Sequence, residues 1–154
     1  MAGKSAFLEA LILDLLFKAT TDATLASAAG SATNLYVSLH TADPGDAGTQ
    51  ATNEVTTAQY GAYTGAVRPA VARSGSGWAR TNSTINPVAA INFPTTTSSG
   101  TGCTATHFGI GMNATVGNAG NLLYSGAITP NIVIPATTAG VIPQLTTTTA
   151  ISEG

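Results

Sequence analysis

The chain has 154 residues with 5 Lys and Arg against 7 Asp and Glu, a net charge of -2, so no basic field exists to attract phosphate, and nucleic acid is not an expected partner. Only 8% of residues are charged, against about 25% in an average soluble domain. With 44% hydrophobic residues and a mean hydropathy of +0.24, the chain lies far from the disordered class and is expected to fold as one domain. Scarce charge leaves Thr, Ser, Asn, Gly and Ala to form the surface, and such a surface favours covering by other copies or by a partner.

The first element in chain order is the stretch MAGKSAFLEALILDLLFKAT, residues 1–20. Phe7, Leu8, Leu11, Ile12, Leu15 and Leu16 fall on one face at helical spacing, with Ser5 as N-cap and Lys18 near the C-terminal end. The spacing predicts an amphipathic helix whose apolar face packs on the chain's own domain or on a neighbour. Glu9 and Asp14 interrupt the apolar run, which argues against a secretory leader and against a membrane span. A connector of small residues, ATTDATLASAAGSAT, carries the chain to residue 34.

From Leu35 the period shortens to two. In LYVSLHTADPGDAG, Leu35, Val37 and Leu39 share one strand face, and Tyr36, Ser38 and His40 share the other. The strand ends in a turn: Asp43 is expected to bond the backbone two residues on, Pro44 fixes φ, and Gly45 accepts positive φ. Two acids three apart are too few for Ca²⁺, and a turn is preferred over a metal site. Further strands are expected at Gln59–Tyr63, Ala66–Ala72, Gly77–Arg80, Val88–Phe93, Thr104–Ile110, Leu122–Ser125, Asn131–Ile134 and Val141–Thr147. Pro69 removes a ladder donor, so its segment should be an edge strand or carry a bulge. Pro130, Pro135 and Pro143 divide the C-terminal third into short strands joined by extended segments. Short strands at this spacing point to a mainly β fold, an antiparallel β-sandwich or jelly roll over residues 35–154, preceded by the N-terminal helix.

Chemistry is thinly supplied. His40 and His107 lie on strand faces, where a hydrogen-bonded structural role is expected, and Cys103 reads as a small hydrophobe. No GxSxG, CxxC, HExxH or EF-hand pattern is present. The glycines of GIGMNATVGNAG precede no helix and have no nearby Lys, so they form a loop rather than a phosphate cradle. Trp78, Tyr36, Tyr60 and Tyr63 could stack on a sugar, but aromatics in strands more often fill a core. No catalytic residue, cofactor or metal is expected.

The order of these landmarks resembles a family of small bacteriophage virion proteins, tail-fibre-like and related by fold to capsid cement or decoration proteins. The resemblance rests on the N-terminal helix, LYVSLHTADPGDAG, YGAYTGAVRPAVARSGSGW, INFPTTTSSGTGCTATHFGIG and GNLLYSGAIT, within residues 7–129. It implies a structural subunit of a virion without an active site. The expected role is a cement protein on the capsid exterior, assembled in the host cytoplasm and bound across major capsid protein subunits and to copies of itself as a dimer or trimer. A tail fibre or host-adhesion protein is the alternative. Contacts with neighbours are expected from Phe7, Leu8, Leu11, Ile12, Leu15 and Leu16 on the helix and from Asp43 and Asp46 in the turn.

Overall fold

The computed structural model describes residues 3–8, 34–61, 68–81 and 84–152. Within them the chain is mainly β, with every paired strand antiparallel. Ten strands run in order: β1 (Gly3–Lys4), β2 (Asn34–His40), β3 (Ala70–Ala72), β4 (Trp78–Thr81), β5 (Thr84–Pro87), β6 (Ile91–Asn92), β7 (Cys103–Gly111), β8 (Leu122–Ile134), β9 (Gln144–Leu145) and β10 (Ile151–Ser152). They form a five-stranded sheet, β1-β8-β7-β2-β3, a three-stranded sheet, β10-β5-β4, and a two-stranded sheet, β6-β9. The expected sandwich or jelly roll is therefore met at the level of antiparallel sheets, here three in number, that share one core.

Alternation decides which face of the large sheet is dry. Val37, Ile110 and Tyr124 lie in one row across β2, β7 and β8, and Leu39 and Phe108 lie in the next. This face meets Ile91 of β6, Leu145 of β9 and Ile151 of β10 in a single hydrophobic cluster, with Ile85 and Trp78 packed against it. Each large side chain so covered contributes about 1.5–3 kcal/mol. The opposite face carries Ser38 and His40 beside Gly109 and His107, and it is polar.

One expectation about proline holds and one does not. β3 starts directly after Pro69 and is the edge of its sheet, and the Pro69 carbonyl accepts a hydrogen bond from the Val37 amide. The pieces expected at 122–125 and 131–134 instead join into one strand, β8. Pro130 is tolerated there because the β7–β8 register shifts between the pairs His107–Ala127 and Ala105–Ile132, so no ladder donor is required of it.

Other strands differ from expectation. The strand expected from Gln59 is a tight turn through the described residues to Gly61, while 62–67 lie outside them. Thr56 Oγ1 accepts from the Gln59 amide, and Gln59 Oε1 accepts from the Thr56 amide. That is the reciprocal cap of a Thr-x-x-Gln sequence, and it outweighs the alternation. The apolar run at 88–93 forms strand only at β6, and the run at 141–147 only at β9, while β5 forms from the polar stretch Thr84–Pro87 by pairing with β4.

At the N-terminus, Ser5 caps as expected: its Oγ accepts from the Leu8 amide and donates to the Leu122 carbonyl. Residues 6–8 are helical, and Leu8 is buried. The remainder of the expected helix, with Leu11, Ile12, Leu15 and Leu16, lies outside the described residues, as does the connector to residue 33.

Gly109 allows the polar face to close. A Cβ there would lie 2.5 Å from His40 Nε2 and 2.7 Å from Ser38 Oγ, whereas one at Gly75 would meet nothing within 4 Å. Gly109→Ala should therefore cost about 1–3 kcal/mol in chemical denaturation, and Gly75→Ala should be near neutral.

Candidate functional site

The polar face of the sheet gathers the chain's buried chemistry. Residues 53–55 run alongside the end of β2, with a bridge between His40 and Glu54 and a bond from the Val55 amide to the Leu39 carbonyl. This places the Glu54 carboxylate under the sheet. Arg68, just before β3, reaches it with two parallel bonds, Nε to Oε1 at 2.7 Å and Nη2 to Oε2 at 2.8 Å. Both side chains are sealed, with 0% of Arg68 and 3% of Glu54 exposed.

A buried charge pair persists only if its remaining donors and acceptors are satisfied. The loop between β7 and β8 supplies them. Arg68 Nη1 donates to the Asn113 carbonyl at 2.8 Å, Nη2 donates to the Asn118 carbonyl at 3.0 Å, and the Gly117 amide donates to Glu54 Oε2 at 2.8 Å. The glycine-rich loop is thus committed to an internal ion pair, and the amide that resembles a phosphate donor already holds a carboxylate. Gln50, fully buried, adds a second clasp: its Oε1 accepts from the Asn113 amide, and its backbone N–H donates to the Gly120 carbonyl.

His40 is buried beside this cluster. Nδ1 lies 2.8 Å from the Thr52 carbonyl, which can only accept, so the neutral ring carries its proton there and Nε2 accepts from Ser38 Oγ at 2.8 Å. A hydroxyl bonded to an imidazole is the pairing used by activated serine nucleophiles. Here Ser38 and His40 are both 0% exposed and the imidazole is oriented by a backbone carbonyl, so no substrate reaches the pair. Burial pushes the His40 pKa below its ordinary value of 6.5.

The expected turn is present: the Gly45 amide bonds Asp43 Oδ1 at 2.9 Å, Gly45 has φ 71°, and both Asp43 and Asp46 are exposed. The Asp46 carbonyl also accepts from the Ala6 amide, which ties the turn to the N-terminal segment. Phe7 is half-buried. Tyr60, expected as a core aromatic, is buried and donates its hydroxyl to the Pro94 carbonyl; burial raises its pKa. Cys103 on β7 is half-buried, and burial likewise raises its thiol pKa. Among the described residues no group of three or more His, Cys, Asp or Glu could hold a metal ion, and no helix is long and apolar enough to cross a membrane.

Sequence reasoning missed the ion pair. Its one signal was a cation inside the apolar run GAVRPAVA, a place where Arg needs a buried partner.

A family model described as Podophage GP4 fiber I protein gp80 matches residues 3–148. No curated protein matches the chain.

Arg68→Ala strands a buried carboxylate and should cost about 3–5 kcal/mol in denaturant unfolding, with Arg68→Ala/Glu54→Leu recovering part of the loss in a double-mutant cycle. His40 gives a pH dependence of defined sign. Its folded pKa lies below the unfolded 6.5, so its contribution is full above pH 6.5 and declines on acidification as the unfolded chain takes up the proton first. The melting temperature should fall as pH drops below 6.5, and His40→Gln should flatten that part of the profile.

Proposed function

Because the chain belongs to the podophage GP4 fiber I protein gp80 family, we propose that it is a structural, non-enzymatic subunit of a bacteriophage tail fibre. The match over residues 3–148 carries this reading, since it covers nearly the whole chain. The structure supports a structural role in a different way. Its buried polar groups are spent on holding loops to a sheet, and its Ser–His pair is sealed.

Capsid cement was the expectation from the family resemblance and the scarcity of charge. A surface with 8% charged residues suits repeated contacts in a shell, but it suits packing within a fibre equally well, so the family favours the fibre. In either assembly the proposed covering surfaces are Phe7, Leu11, Ile12, Leu15 and Leu16 of the N-terminal segment and the exposed turn at Asp43 and Asp46, while Leu8 is buried within the chain itself. Finer architecture follows the same reading: the three sheets around one core make a sandwich-like subunit that joins copies of itself, as a dimer or trimer, through these surfaces.

Gold-labelled antibody against this chain, applied to intact virions, should mark the tail, with few copies per particle. Label spread over the capsid, with copies in the hundreds, would contradict the fibre reading and restore the cement one.

A further inference from the structure

One cavity, about 670 Å³, has Trp78 and Tyr124 on its wall, but its arginines, Arg73 and Arg80, and Thr84 and Tyr124 already have partners. Another, about 490 Å³, opens between the outer half of β8 and the segment that runs from β9 to β10. That volume lies in the range of small-molecule sites. Phe108 and Leu145, both buried, form its floor with half-buried Ile128. Thr129 and Asn131 of β8 and Gln144 of β9 line it as exposed polar residues.

The β8 side of this cavity is made by a bulge. β7 and β8 pair at His107–Ala127 and again at Ala105–Ile132, so residues 128–131 stand against Thr106 alone. Bulges of this kind turn side chains out of the ladder and recur beside functional sites. Here the bulge carries Thr129 and Asn131 to the cavity. Among the described residues, the Thr129 hydroxyl and the Asn131 and Gln144 carboxamides make no hydrogen bond, and none of these residues is engaged elsewhere through its side chain. Uncommitted neutral donors and acceptors therefore surround an apolar floor.

We propose that this cavity binds a neutral saccharide, its hydroxyls bonded by the Asn131 and Gln144 carboxamides and the Thr129 hydroxyl, and its C–H face laid on the apolar floor. A sugar hydroxyl both donates and accepts, and a carboxamide offers donor hydrogens on one atom and acceptor lone pairs on the other, so the two groups pair in either sense. An extended peptide joining the sheet would need an unbroken row of N–H groups along β8, which Pro130 and the bulge interrupt. A purely apolar ligand would leave the carboxamides desolvated and unpaired. The inference deepens the fibre reading, in which the chain meets polysaccharide of a host surface, and it rests on that reading for its biological setting.

The full chain, labelled with a nitrogen isotope, is titrated in an NMR experiment that resolves side-chain amides. The probes are maltotetraose, cellotetraose, N-acetylated chitotetraose and galactotetraose, with tetragalacturonate as the acidic control and hexathreonine as the peptide control. The expected result is a saturable shift of the Asn131 and Gln144 side-chain signals with one or more of the neutral sugars and with neither control. An Asn131→Ala/Gln144→Ala variant should keep the wild-type melting temperature, because both side chains are exposed, and should bind about tenfold more weakly. If that variant unfolds, the side-chain shifts of the wild-type chain decide alone. No saturable shift with any neutral sugar, shifts confined to other residues, or undiminished binding by the folded variant overturns the proposal. Binding of tetragalacturonate or hexathreonine as tight as that of the best neutral sugar also overturns it, in favour of an anion or a peptide. Virion labelling reads the fibre assignment independently, so loss of one conclusion is distinguishable from loss of the other.

Discussion

The Glu54–Arg68 ion pair is the constraint around which the polar side of the molecule is arranged. A charge taken out of water is tolerated only where its partner and its remaining hydrogen bonds are fixed in place. That requirement brings together three segments distant in sequence: the 53–55 strip beside β2, the residue entering β3, and the β7–β8 loop, whose carbonyls at Asn113 and Asn118 complete the guanidinium. Gln50 and His40 extend the same pattern with neutral groups. The hydrophobic core on the opposite face holds the sheets together, and the ion pair determines which loops lie against the back of the large sheet.

This division explains how so little charge suffices. The cluster consumes one of each sign internally, and the outer surface is left to Thr, Ser, Asn and small residues. Such a surface has weak electrostatic repulsion between copies and a low desolvation penalty, both of which favour packing into an assembly.

Sequence legibility followed the strength of local signals. β2 was readable because Leu35, Val37 and Leu39 alternate with polar residues over an uninterrupted run, and the turn after it was readable because Asp, Pro and Gly each have a defined backbone role. Pro69 correctly marked an edge. The segment at Gln59 misled because its alternation hid the Thr56–Gln59 cap. β5 was invisible because Thr84–Pro87 owes its extended form to pairing with β4 and β10, which no local pattern encodes. For the same reason the ion pair was illegible: Glu54 and Arg68 are 14 residues apart, and their third partner, the 113–118 loop, is contributed from more than 40 residues further on. Trp78 and Tyr124 came together at one cavity through the packing of two sheets, a relation equally absent from local spacing.

Hydrogen–deuterium exchange of the native chain tests most directly whether the buried pair orders the loops around it. The amides of Gly117, Arg68 and Gln50, which lie outside the regular strands, should be protected as strongly as those of β2 and β7. Exchange of these three at the rate of exposed loops, with β2 and β7 still protected, would contradict that ordering role.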